Sequence, residues 1–71
     1  MKRYFEYVGG TSAKFWEIGT SGNEVTVRFG RIGTQGQTQT KTLPDATAAT
    51  QHAEKLVASK TAKGYRETVA C

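Results

Sequence analysis

Aromatic and polar residues alternate in part along KRYFEYV, Lys2 to Val8, a stretch rich in strand formers. GGTS interrupts it. KFWEI, Lys14 to Ile18, forms a second aromatic strand candidate, and GTSGN, Gly19 to Asn23, is a turn signal. A third strand candidate is EVTVRFGRI, Glu24 to Ile32. Side chains alternate across a strand, so Val25, Val27, Phe29 and Arg31 share one face, and Thr26, Arg28, Gly30 and Ile32 the other. Gly30 within that strand signals either a bulge or a close approach by another group. GTQGQ, Gly33 to Gln37, reads as a hairpin loop in which Gly33 and Gly36 supply the positive φ that a side chain would resist. TQTKTL, Thr38 to Leu43, is a polar, β-branched return strand suited to a sheet with a wet face.

After Pro44 the period changes. Asp45 is placed to cap a helix over residues 46–63, in which Ala49, Ala53, Leu56, Val57 and Lys60 form one stripe. Gly64 stands where the chain leaves such a helix, with Lys60 and Lys63 in its last turn facing the negative end of the dipole. At about 18 residues the helix is about 27 Å long. YRETVA, Tyr65 to Ala70, can return as a short last strand. These elements predict one α+β domain over residues 1–71: a twisted antiparallel sheet of four to five strands with one long helix on one face.

Composition narrows the function. A chain of 71 residues buries only about 60% of the surface its unfolded form exposes. A deep substrate cavity would consume that thin core, which disfavours an enzyme. Ten Lys/Arg against six Asp/Glu give +4 and a pI near 9.5, a balance that favours anionic partners such as nucleic acid or an anionic membrane face. The single cysteine, Cys71, allows no internal disulfide, and one Cys with one His builds no zinc site. A reducing, cytoplasmic setting is expected, nucleoid-associated if DNA is the partner. The 71 residues show no apolar leader and no apolar run of membrane-spanning length. A monomer without metal or cofactor is the expectation.

The three glycines Gly30, Gly33 and Gly36 fit no phosphate-loop template, because they lead from strand to loop to strand instead of opening a helix. Their expected role is structural, in turning the chain. GRIG and GTQG match the GxxG of a KH domain, but two fixed letters carry almost no information. His52 lies on the helix without an acid or hydroxyl in a catalytic pattern, and Ser12, Ser21 and Ser59 have no identifiable base. Of the aromatics Tyr4, Phe5, Tyr7, Phe15, Trp16, Phe29 and Tyr65, most must be core. Phe29 is the best stacking candidate, because Arg28 and Arg31 flank it and guanidinium groups bind phosphate oxygens. The bland alternative is that Phe29 is core as well.

With KFWEI, FGRIGTQGQ and EKLVASKTAKGY in place, the chain resembles the WGR domain over nearly its whole length. The motif here reads Phe-Gly-Arg: Phe29 stands where the family has Trp, keeping an aromatic face but losing area and the indole N–H. Ala13 stands where many members have Asn. In the DNA-damage-responsive poly(ADP-ribose) polymerases this domain grips DNA at a break and contacts neighbouring domains. The resemblance implies that Phe29 packs on a sugar and that Arg31 is a polar anchor. It does not carry over ADP-ribosyl transfer, because no catalytic domain is among these residues.

The expected function is thus a small nucleic-acid-binding module, favouring DNA ends or nicks with little sequence specificity. Lys14, Arg28 and Lys41 would neutralise phosphates, Phe29 would stack and Arg31 would fix register. The alternative is a protein-interaction module that docks another protein or domain on the same Arg31 surface.

Overall fold

The structure, a computed structural model, describes residues 2–68. Strands β1 (Lys2–Gly9), β2 (Ser12–Ser21), β3 (Glu24–Arg31) and β4 (Gln37–Thr42) follow one another as hairpins. Helix α1 (Ala46–Ala62) and strand β5 (Arg66–Thr68) complete the chain. The five strands form one antiparallel sheet in the order β4-β3-β2-β1-β5. This is the expected α+β architecture, with the fifth strand present. Val69 and Ala70, which the sequence assigned to the last strand, and Cys71 lie outside the described residues.

Register assigns the faces. Phe5 pairs with Trp16 and Trp16 with Phe29; Ile18 pairs with Val27, and Thr20 with Val25. These rows project toward α1, whose Ala49 and Ala53 are small enough to let the helix lie close. Phe5, Trp16, Ile18, Val25, Ala49 and Ala53 make the buried core, and Val27, Phe29, Leu43, Leu56, Val57 and Tyr65 pack around it half-buried. Burying a side chain such as Phe5 or Ile18 contributes about 1.5–3 kcal/mol. The predicted helical stripe is therefore the stripe that packs.

Both helix ends have local causes. The Asp45 carboxylate accepts from the Ala48 N–H at 2.7 Å, satisfying one of the first-turn donors. At the other end Gly64, at φ 103°, lets Tyr65 N–H reach the Lys60 carbonyl (3.1 Å) and Gly64 N–H reach that of Thr61 (3.1 Å). That double bond pattern stops the helix and seats Tyr65 beside Lys60.

Two expectations need correction. The turn expected over Gly19–Asn23 is shorter, because Gly19, Thr20 and Ser21 continue β2 and pair with Thr26, Val25 and Glu24. Pairing with β3, and at Gly19 with Lys2 of β1 as well, outweighs the turn preference of that composition. Gly30 makes no bulge, since the register runs unbroken through Phe15–Gly30 and Lys14–Arg31. It is a place of close approach: a Cβ there would stand 2.7 Å from the Gly36 Cα. Gly30 is thus a strand residue that makes room for the loop, and the turn itself uses Gly33 and Gly36, at φ 95° and 70°.

The face away from α1 has its own small aromatic centre. Phe15 is buried there, stacked on Tyr4 at 5.9 Å between centroids and covered by the Arg28 guanidinium 4.7 Å from its ring centre. Thr26, Thr38, Thr40 and Thr42 on that face are exposed.

Candidate nucleic-acid interface

Strand alternation and the helix terminus bring a second set of residues together at one end of the helix-covered face. Lys14 and Arg31 are cross-strand partners on β2 and β3, two residues beyond the Trp16–Phe29 pair. Lys60, last in the buried stripe of α1, arrives above them. These residues, with Tyr65, line a groove of about 430 Å³, within the range of clefts that hold small ligands. Phe29 packs against the core cluster and lines the groove as well. It is half-buried, which makes it part core and part surface.

Aromatic rings hold the two ammonium groups. The Lys60 amine lies 5.8 Å from the centre of the Trp16 ring and 5.5 Å from that of Tyr65. Lys14 lies 5.7 Å from the Tyr7 ring, and Tyr7 packs on Tyr65 with centroids 5.5 Å apart. The faces of these rings carry partial negative charge, so each contact favours a cation. Burial nonetheless pushes the Lys60 ammonium below the ordinary lysine range, and the nearby charges of Lys63 and Lys14 push it the same way.

Acids are engaged elsewhere. Glu17, on the open face, accepts from Arg28 at 3.2 Å and faces Lys2 at 3.7 Å. Glu67 accepts from Nε and Nη2 of Arg3 at 2.8 and 2.7 Å, which lowers the carboxyl's pKa below its usual range. Glu6 accepts from the Tyr4 hydroxyl. Among the described residues no carboxylate lines the groove and none pairs with Arg31. The result is three cations around an aromatic floor, with no carboxylate of the described residues among them.

The structure gathers only part of the predicted set. Lys14, Phe29 and Arg31 meet in the groove. Arg28 does not, so Phe29 is not held between two guanidiniums. Arg28 leaves β3 by the opposite face, where it covers Phe15, pairs with Glu17 and donates to the Gln35 carbonyl at 2.9 Å. Lys41 sits beside Val25, six residues before Arg31 on β3 and so about 20 Å away along the sheet. Sequence reasoning missed Lys60 and Tyr65 as groove residues. The signal was available for Lys60, because a cation that continues an apolar helical stripe must face what the stripe faces.

The loop next to the groove is fixed by contact. The Arg31 carbonyl accepts from Thr34 twice, from its N–H at 3.1 Å and its hydroxyl at 2.7 Å. A Cβ on Gly36 would overlap the Phe29 carbonyl oxygen and stand 2.8 Å from the Phe15 ring. The glycines therefore let the loop press against β3 at the very residues that carry Phe29 and Arg31.

The WGR domain family model matches residues 1–70. The chain belongs to the WGR domain family. Among its relatives are two Escherichia coli (strain K12) proteins. YehF is 43% identical over 65 residues, covering 92% of this chain and 24% of YehF. YfeS is 39% identical over 67 residues, covering 94% of this chain and 28% of YfeS. A crystal structure of a Bacteroides fragilis protein superposes with a TM-score of 0.95 at 48% identity, over 97% of this chain and 20% of that one. This WGR domain thus spans about a quarter of the length of the curated relatives it matches.

Proposed function

We propose that this WGR domain is a small nucleic-acid-binding module that takes DNA ends or nicks in the groove between Lys14, Arg31 and Lys60. The observation that carries this is the convergence of three cations from β2, β3 and α1 on a groove that no carboxylate of the described residues lines. Phosphate oxygens would be met by the guanidinium and the two ammonium groups, and the exposed part of Phe29 would contact a sugar. At about 430 Å³ the groove suits a sugar and its phosphates better than a base pair read edge-on. Little sequence specificity follows. We assign the module no catalytic step.

Salt dependence tests this. Three neutralised phosphates give a slope near −2.7 for log K against log salt, about −0.9 for each contact on duplex DNA. Titration of a nicked duplex at several salt concentrations should reach that value, and Lys14→Ala, Arg31→Ala or Lys60→Ala should each reduce it by about one unit. Binding insensitive to salt would remove the mechanism. If the variants lose a protein partner while DNA binding is unchanged, the same surface docks proteins.

A further inference from the structure

A second unfilled feature runs along β4. β4 is the edge of the sheet, with β3 as its one neighbour, and all six of its residues are exposed. The hydrogen bond from Leu43 N–H to the Asn23 carbonyl at 2.8 Å sets the phase of the ladder. In an antiparallel pair every second residue turns its N–H and C=O away from the partner. Counting back from Leu43, those residues are Thr42, Thr40 and Thr38, whose main-chain groups face outward. An exposed row of this kind is a template for another strand unless something blunts it. Here β4 contains no proline, and its register with β3 runs without a bulge from Thr42 to Gln37.

Beside this edge lies a groove. The core of α1 packs over β2 and β3, and between the helix and β4 remains a cleft of about 590 Å³ lined by Val25, Val27, Leu56, His52, Gln39 and Lys41. A second hollow, which has His52 in its lining as well, carries Lys55 and Glu54. A strand laid against Thr38–Thr42 would direct every second side chain toward the helix and into the cleft.

We propose that β4 and the β4–α1 cleft form a peptide-binding site, in which an extended segment of a partner protein adds as a sixth strand. The occupant is specified by chemistry on three counts. Three outward pairs of N–H and C=O require an extended backbone. Val27 and Leu56, half-buried at the cleft, require apolar side chains at alternate positions. Lys41 and Lys55, against Glu54 as the one carboxylate among the described residues that line the two hollows, favour an acidic segment. The site is separate from the nucleic-acid groove and does not depend on its assignment.

The probe is a blocked nine-residue peptide whose core alternates valine with threonine and whose ends carry glutamates, added to the 71-residue chain and followed by NMR. Amide shifts centred on Thr38, Thr40 and Thr42, with slowed hydrogen exchange at those amides, are expected. A lysine-ended version of the peptide should bind more weakly. Thr40→Pro removes one outward N–H and the hydroxyl contact with Thr26 on β3 but no main-chain bond to β3, and should weaken binding by about tenfold while the rest of the spectrum is retained. Should Thr40→Pro disturb the fold, Leu56→Gln serves as the second variant and should weaken binding by filling the cleft with a polar group. No shifts on β4, shifts confined to the Lys14–Arg31 groove, or equal binding by the variants would overturn the proposal. So would a sedimentation result in which β4 is already occupied by a second copy of the chain.

Discussion

Arg28 and Arg31, three residues apart on β3, leave the sheet by opposite faces. Arg28 covers the Phe15 ring at 4.7 Å and ties Glu17 to the Gln35 carbonyl, whereas Arg31 stands beside Lys14 at the rim of the cationic groove without an acidic partner among the described residues. One arginine braces the loop that follows β3, and the other is available to a ligand.

The two should separate in a salt titration. Arg31→Ala is expected to reduce the slope of log K against log salt by about one unit, with little change in thermal stability. Arg28→Ala should leave the slope unchanged, because it removes no phosphate contact. It should lower stability by about 1 kcal/mol through loss of the ring contact and the Gln35 hydrogen bond. Equal slopes for the two variants would contradict this division.

Phe29 contributes to both core and groove, so truncation to alanine confounds the two. Phe29→Leu keeps most of the apolar volume and removes the aromatic face. Stability should change by about 1 kcal/mol, while affinity for a nicked duplex falls by about tenfold, the scale of a lost stacking contact. Paired denaturation and anisotropy measurements check both numbers. A stability loss with unchanged affinity would make Phe29 a core residue alone.

Lys60 predicts a pH dependence with a definite sign. Its ammonium is disfavoured in the folded protein, chiefly by burial, so the unfolded chain binds more protons in the window between the depressed and the ordinary lysine pKa. Stability of the free protein should therefore rise as pH increases through that window. DNA affinity should fall through the same window, because a bound phosphate favours the charged amine. Lys60→Met should remove both effects and slightly raise the melting temperature of the free protein, as followed by circular dichroism and anisotropy at graded alkaline pH.

Gly36→Ala tests the packing of the loop. The added methyl would strike the Phe29 carbonyl and the Phe15 ring at a position of φ 70°. A loss of about 1–3 kcal/mol is expected, seen as a fall of about 10 °C in melting temperature. Gly33→Ala meets no atom within 4 Å, so it should cost less, its loss coming from φ alone.

How far the molecule was legible in its sequence depends on the reach of the interactions concerned. The helix, its Asp45 cap, its Gly64 exit and the stripe ending at Lys60 rest on neighbours within a few residues, and all were readable. So was the alternation that puts Phe29 and Arg31 on one face. The separation of Lys41 from the groove depends on the register of β4 against β3, which composition does not encode. The contact of Arg28 with Phe15 and Gln35 needs β2 and the glycine loop placed together, and flanking position alone suggested the wrong partner. Tyr65 joined the groove only because the bonds at Lys60 and Gly64 turn the chain back onto Trp16's side of the sheet.

The most direct measurement is an amide chemical-shift titration of the 71-residue chain with a nicked duplex and an intact duplex at two salt concentrations. Shifts should gather on Lys14, Phe29, Arg31 and Lys60, be stronger with the nicked duplex, and shrink at the higher salt. Shifts confined to the face of Arg28 and Thr38, or none from either duplex, would contradict the account.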